Sequence, residues 1–351
     1  MIPSAVQVKR IIELARPVSN SRYMANVRDI AVVTAGALTI ALITLSDWPG
    51  ELLGTAQDRL TTGFFFMVSI TSILLVAVLF ALEYWKPARP EERGFHPSVA
   101  FDALYLLVQL PIVATLVVVI SQPALSLLES HVSFLVLDVG SELPLPVLLV
   151  AGVAIADFTL WVSHVVRHKV PFLWRFHIIH HSQSRLNLFT ASRDHPLDNL
   201  FETLIRIVPL FILFPGVVEN AQALALYGLG VSWHIRFTHT NIATNLGPLR
   251  WILVTPQSHR VHHSVEPEHW NSNYANIFCW DRLVGLQCSD DVTYPKTGVL
   301  ADAFPEPETF SPFEFARCYC AQLIFPFDTK AVRQATLQQD QRVATTDQNT
   351  R

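Results

Sequence analysis

A chain of 351 residues that is 51% hydrophobic and only 15% charged, with a mean hydropathy of +0.34, is too apolar for an ordinary soluble globule and belongs in a membrane. A formal net charge of −4, with no basic patch interleaved with aromatics, excludes nucleic acid as a partner. Cys279, Cys288, Cys318 and Cys320 form neither a CxxC pair nor a spaced framework, which removes zinc-ribbon and disulfide-scaffold classes and reads as reduced thiols.

In chain order, residues 1–28 are polar and basic (Lys9, Arg10, Arg16, Arg22, Arg28) without the short apolar core and cleavage site of a signal peptide, so they are expected to stay as a cytoplasmic N-terminal segment. Transmembrane helices fill 29–145. Stretches 30–46 and 63–82 are uncharged and Asp102 is the only charge between Phe101 and Gln122, against a need of roughly 20 apolar residues per span. A fourth span runs from Leu143 to Val162 and carries Asp157 near its end. Basic residues alternate between loops: Arg59 alone after the first span, then Lys86, Arg89 and Arg93, then none from Ser121 to Pro144, then Arg167, Lys169, Arg175, Arg185 and Arg193. That bias places the N-terminus, and whatever follows the fourth span, on the cytoplasmic face. The apolar region 207–233 bends at Pro215-Gly216 and is punctuated by Glu219 and Asn220, so a re-entrant or tilted helical hairpin is expected there. Residues 291–328 read as a C-terminal cytoplasmic segment, and the polar, Gln-rich 329–351 as a disordered tail. The expected architecture is all-α, a multi-pass membrane helical bundle.

Three histidine boxes fall within 146–290: His164 and His168, then His177, His180 and His181, then His259, His262 and His263. On a helix, positions i, i+3 and i+4 share a face, so each box presents its rings together. Imidazole without thiolate suits iron, zinc, copper or nickel and not magnesium or calcium. Eight clustered histidines exceed the four ligands of one zinc ion and fit two metal ions better. No box carries a carboxylate between its histidines, as a hydrolytic HExxH would, so oxidative iron chemistry leads. His234 lies five residues before His239, roughly 140° away on a straight helix. His195 either completes the cage or starts a turn with Pro196, and His96, His131 and His269 read as loop or surface residues.

The boxes have flanks: Asp157, Leu173-Trp174, Ser182, Arg193-Asp-His195-Pro196-Leu197, Phe237-Thr-His239-Thr-Asn241, Thr255-Pro256, Asn273-Tyr274 and Trp280-Asp281-Arg282-Leu283. With the boxes they resemble the sterol desaturase and fatty acid hydroxylase superfamily over about Asp157 to Gly285. The sequence departs from the family pattern at Ala275, where glycine is usual, and at Leu283-Val284-Gly285-Leu286, where Phe-Gly-Thr is usual, which leaves the branch of the superfamily open. The resemblance implies a catalytic region at 146–290 with a non-haem di-iron centre of two Fe ions, which the alternation of basic residues puts on the cytoplasmic face provided that 207–233 enters and returns on the same side. It also implies a lipid substrate (sterol, fatty acyl or related), O2, and hydroxylation or desaturation of a C–H bond. Electrons would come from an external donor, ferredoxin or cytochrome b5-like with a reductase, since the chain shows no haem, flavin or iron–sulfur module. His239 joins the eight box histidines as a ligand by its place in this pattern, and Asp157 and Asp281 are expected to orient imidazoles through their second nitrogens. No catalytic residue beyond the metal ligands is singled out. The alternatives are a zinc-dependent membrane hydrolase, for which Glu202, Glu266 and Glu268 are the nearest candidate bases, and a non-enzymatic metal-binding membrane protein.

Overall fold

A computed structural model of the chain describes residues 70–132, 134, 136, 143–213, 221–289, 292–299 and 304–333. The basic segment 1–28 and the span expected at 30–46 lie outside these residues. The described chain is helical, with three isolated bridges (Pro87 to Ile242, Leu253 to Phe278, Ser264 to Thr297) and no strand among the described residues, as the all-α expectation requires.

The helices in order are α1 (Ile70–Trp85), α2 (Pro97–Val132), α3 (Leu145–Lys169), α4 (Pro171–His181), α5 (Pro196–Leu213), α6 (Ala221–Thr238), α7 (Pro256–His262), α8 (Trp280–Val284) and α9 (Pro312–Ile324). Prolines set many of the starts. Val170 is extended (φ −98°, ψ 111°) because Pro171 follows it, since the proline ring excludes the α conformation from the preceding residue. The chain therefore breaks between α3 and α4, and the first two histidine boxes lie on two helix ends instead of one rod. The short α7 is held by a capping box: Thr255 Oγ1 accepts from Ser258 N and Ser258 Oγ accepts from Thr255 N, with Pro256 in the first turn where its missing N–H costs nothing.

Within α3, Pro146–Lys169 is long and apolar enough to cross a membrane, and it overlaps the fourth expected span from Pro146 to Val162. Val147, Val150, Phe158, Val162 and Val166 are exposed along one side of it, while Ala156, Leu160, Ser163, His164 and Arg167 are buried on another. The helix therefore packs one face on protein and leaves an apolar face exposed. Residues 101–122 lie on α2, and the later part of 63–82 on α1.

The main apolar core joins Phe101 and Tyr105 of α2, Ile178 and Ile179 of α4, Cys318 of α9, and Phe304, Phe325 and Val332. Ile178 and Ile179 separate the histidines of the second box and are fully buried. They anchor the side of α4 that faces away from the other imidazoles, so packing fixes the helix rotation. Val332 belongs to this core, and the chain is helical to residue 333. The tail expected from 329 thus contributes an apolar anchor at its start, and residues 334–351 lie outside the described residues. Asp102, the lone charge of its expected span, is a buried hub. It accepts hydrogen bonds from Arg193 Nη1 (2.8 Å), Gln183 Nε2 (2.7 Å), Asn187 Nδ2 (3.0 Å) and Thr190 Oγ1 (2.7 Å). A buried carboxylate is tolerated when its lone pairs are filled and a cation is paired with it, and these bonds tie α2 to the loop after the second box.

Candidate metal centre

Nine buried or nearly buried imidazoles converge into two groups. His164, His168, His177, His181 and His262 form one, and His180, His239, His259 and His263 the other, with the donor atoms inside each group all within 4.8 Å of one another. Each HxxHH box feeds both groups. In α4, His177 and His181 (i, i+4) go to the first group and His180 (i+3) to the second; in the third box His259 and His263 go to the second and His262 to the first. The reason is rotation: i and i+4 lie nearly in register on a helix, whereas i+3 points to the other side of that line.

Several rings are held from behind, leaving the inner nitrogen to point inward. His164 Nδ1 donates to the Tyr274 carbonyl (2.6 Å), His262 Nδ1 to the Ser272 carbonyl (2.8 Å), His239 Nδ1 to the Ile235 carbonyl (2.7 Å) and His177 Nδ1 to Asp198 Oδ2 (2.8 Å). A neutral ring donating from Nδ1 carries a lone pair on Nε2. Yet Nε2 atoms face each other: His164 to His262 at 3.0 Å, His180 to His239 at 3.0 Å, His239 to His259 at 3.0 Å and His259 to His263 at 3.2 Å. The buried Nε2 atoms of His168, His177 and His181 have no hydrogen-bond partner. His164 and His262 both donate from Nδ1, so their facing Nε2 atoms present two lone pairs 3.0 Å apart, which repel unless a cation lies between them. Two nitrogens each about 2.1 Å from one ion and at right angles to each other would stand about 3.0 Å apart. The residues present therefore fit transition-metal ions.

Burial, with neighbouring positive groups, pushes the His177, His181, His239, His259 and His263 rings far below the usual imidazole range. Burial likewise takes His262 down to about 3. These rings are neutral at physiological pH, and neutral imidazole is the ligating form.

Residues 149–286 match the family model described as fatty acid hydroxylase. Over this segment the chain is similar to the fatty acid hydroxylase family. All nine converging histidines lie inside it. An ornithine lipid hydroxylase of Rhizobium tropici is 35% identical over 173 residues, 48% of either chain. An alkylglycerol monooxygenase of Xenopus tropicalis is 34% identical over 166 residues, 47% of this chain and 34% of its own. A human cholesterol 25-hydroxylase is 29% identical over 140 residues, 37% of this chain and 47% of its own. The chain thus spans about half or less of the length of these relatives. No solved structure matches significantly.

The remaining expectations divide. Within the matched segment His195 stands apart from both groups: its Nε2 donates to the Leu323 carbonyl (3.2 Å), its Nδ1 accepts from Leu197 N (3.1 Å), and its ring packs on Phe176. His234 is also outside both groups and bonds the Val254 backbone. His269, read as a loop or surface residue, is buried with Nδ1 2.8 Å from Ser264 Oγ.

Asp157 and Asp281 do not bond an imidazole. Asp157 accepts from Ile277 N (3.1 Å), Phe278 N (2.8 Å) and Trp280 Nε1 (2.8 Å), and Asp281 accepts from Trp161 Nε1 (3.1 Å) and Ala275 N (2.7 Å). They fasten the 274–281 loop to α3, and that loop's Tyr274 carbonyl holds His164. Their influence is at one remove, because the backbone N–H groups of an irregular loop claim the carboxylates first.

The carboxylate that does hold a ring is Asp198, in the first turn of α5, which sequence reasoning missed. It also accepts from Arg167 Nη1 (2.9 Å), whose Nη2 pairs with Glu202 (3.0 Å). Asp194 Oδ1 lies 3.2 Å from His180 Nδ1. The signal was weak: Asp198 follows His195-Pro196 by two residues, where an acid ordinarily reads as a helix-start charge.

Proposed function

We propose that this protein is a membrane-bound, oxygen-dependent lipid oxidoreductase whose centre holds two iron ions, one in each histidine group. Carrying that reading is the division of nine imidazoles into a set of five and a set of four with inward, unpartnered or mutually facing Nε2 atoms. Iron would supply oxygen activation able to attack an unactivated C–H bond, fed by O2 and two electrons from a separate donor. The chain's own residues fix the ligands. The Tyr274, Ser272 and Ile235 carbonyls and Asp198 set tautomer and ring angle, while Ile178, Ile179 and Val261 close off the backs of the box helices from water.

Substrate class follows from setting. The first box ends an apolar helix with an exposed apolar face, so a lipid reaches the centre without leaving the bilayer. The cytoplasmic orientation from the positive-inside bias and the multi-pass topology belong to this proposal. So does a re-entrant 207–233: α5 leaves the site at Asp198 and α6 returns to it at His239. Hydroxylases of ornithine lipid and cholesterol and alkylglycerol monooxygenases stand among the relatives beside a less similar putative sterol desaturase, which favours hydroxylation over desaturation.

A zinc hydrolase is the weaker reading, because its candidate bases are placed elsewhere. Glu202 is engaged by Arg167, and Glu266 and Glu268 are exposed. The test is metal analysis of gently purified protein with lipid profiling of cells with and without the gene. Iron near two per chain and a lipid that gains one oxygen atom are expected. Zinc in place of iron, or lipid turnover that proceeds without O2, overturns the proposal.

A further inference from the structure

A cavity of about 510 Å³ opens beside the five-histidine group, within the range of sites that bury a small organic ligand. His168, His181 and His262 line its inner end, Trp174, Trp270 and Val299 its walls, and Arg175 and Arg333 also face it. Among the described residues no acidic side chain lines it. The composition is asymmetric: aromatic and aliphatic surface beside the ligand edges, and two guanidinium groups of which Arg333 is exposed and Arg175 half-buried. Among the described residues neither arginine has a carboxylate partner, and Arg175 is placed only over the Phe172 ring at 5.9 Å.

Trp174 makes the link between cavity and centre. It lies 4.9 Å from the His168 ring and 5.4 Å from the His181 ring, centroid to centroid, so a molecule against the indole is already beside two ligands of one group. Trp270 is fixed by Nε1 donating to the Ser264 carbonyl (3.1 Å), which presents its ring as a rigid wall. Guanidinium groups without an internal counter-charge receive carboxylate or phosphate oxygens with charge-assisted, two-pronged geometry.

We propose that this cavity binds the substrate lipid by an anionic group, carboxylate or phosphate, held by Arg175 and Arg333, with the adjoining carbon chain between Trp174 and Trp270. The proposal rests on the oxidative reading for calling this lipid the substrate, and the binding itself does not depend on it. It has a regiochemical consequence. Arg175 and His181 are separated by about 9 Å along α4, so the carbon presented to the five-histidine group lies a short stretch of chain from the anionic group, far from the lipid's other end.

The test uses full-length protein in phosphatidylcholine nanodiscs and a dibrominated stearate probe, whose bromines quench nearby indoles, beside the matched dibrominated stearyl alcohol. The cavity signal is the part of the quench lost in the Trp174→Phe, Trp270→Phe double variant. The carboxylate probe is expected to saturate that signal at about a tenfold lower concentration than the alcohol, one charge-assisted hydrogen bond's worth of preference. This preference should vanish in Arg175→Gln, Arg333→Gln and persist in Arg175→Lys, Arg333→Lys, which separates loss of charge from misfolding. Equal affinities in the wild type, or a preference untouched by the glutamine variants, overturns the proposal. So does full displacement by inorganic phosphate, which would make the cavity a free-anion site, and so does an unchanged probe affinity with a raised KM for the reduced electron donor, which would make the arginines a docking patch. Metal content is read in parallel. A carboxylate preference in protein that holds no iron leaves the binding site standing and removes the oxidative reading, and iron without the preference does the reverse.

Discussion

Replacing Asp198 with Asn tests whether the bond behind His177 governs metal binding. One buried oxygen, Oδ2, serves both His177 Nδ1 (2.8 Å) and Arg167 Nη1 (2.9 Å), and all three side chains are at most 4% exposed. Removing one partner from a buried ion pair costs about 3–5 kcal/mol. Asn keeps the shape and one acceptor, and Glu202 still holds the other guanidinium nitrogen of Arg167, so the lower end, about 3 kcal/mol, applies to the metal-free fold. Loss of the negative charge behind a ligating imidazole adds a separate effect of about 10–100-fold in metal affinity, equivalent to about 1.4–2.8 kcal/mol. The assay is iron retention against a graded chelator, with thermal unfolding of loaded and stripped protein. Glu202→Gln is the control, since Glu202 pairs with the same arginine. It should cost about 1 kcal/mol of stability, as a partly exposed pair does, and leave iron affinity unchanged. Wild-type iron retention in Asp198→Asn, or an equal loss in Glu202→Gln, refutes the assignment.

Other expectations follow the same logic. If each histidine group holds one iron, as proposed, His259→Ala and His262→Ala should each lower bound iron from two to about one per chain, since each empties a different group, and loss of both ions in each variant would argue for a single site. His195→Ala should leave iron content unchanged while costing about 1–2 kcal/mol for two lost hydrogen bonds, and iron loss there would return it to the ligand set. Asp157→Ala orphans two backbone N–H groups and an indole N–H, so it should destabilise by at least about 3 kcal/mol; a near-neutral stability change would show that the loop does not depend on it. For pH, His262 folds with its ring at about 3 against 6.5 for the free residue. The unfolded chain therefore binds the extra proton between those values, and stability is complete above about 6.5 and falls by about 1.4 kcal/mol per pH unit below it. The buried His177, His181, His239, His259 and His263 act in the same direction. Equilibrium unfolding of metal-stripped protein from neutral to mildly acid pH should show that steep loss, and a flat profile would contradict the burial.

What the sequence made legible was whatever repeats at helical spacing. The boxes at 164–168, 177–181 and 259–263 announced their convergence because i, i+3 and i+4 are close on any helix, and Pro171 and Pro256 marked where helices begin. The division into two groups was not legible, since it depends on how α4 and α7 are rotated, and for α4 that is set by Ile178 and Ile179 packing on residues as distant as Phe101 and Cys318. Asp198 was hidden for a related reason: its partner His177 is 21 positions away, with no pattern linking the two. Asp157 and Asp281 were singled out as acids near the boxes, but proximity in sequence says nothing of the unsatisfied N–H groups of residues 275–278 that claim them. His195 sat in the family's pattern and proved to bond the Leu323 carbonyl, a residue no local reading would bring near.

The crossed supply of ligands has a mechanical consequence. Because α4 and the third box each give two rings to one group and one ring to the other, two short helices act as rulers between the groups. Trimming a single ring can empty one position, but sliding or turning either helix disturbs both at once. An extra residue between Ile178 and Ile179 would turn His180 and His181 by about 100° relative to His177, pulling a ring from each group in one stroke. The separation of the two groups is therefore written into helix pitch and cannot drift independently of the rings that define it.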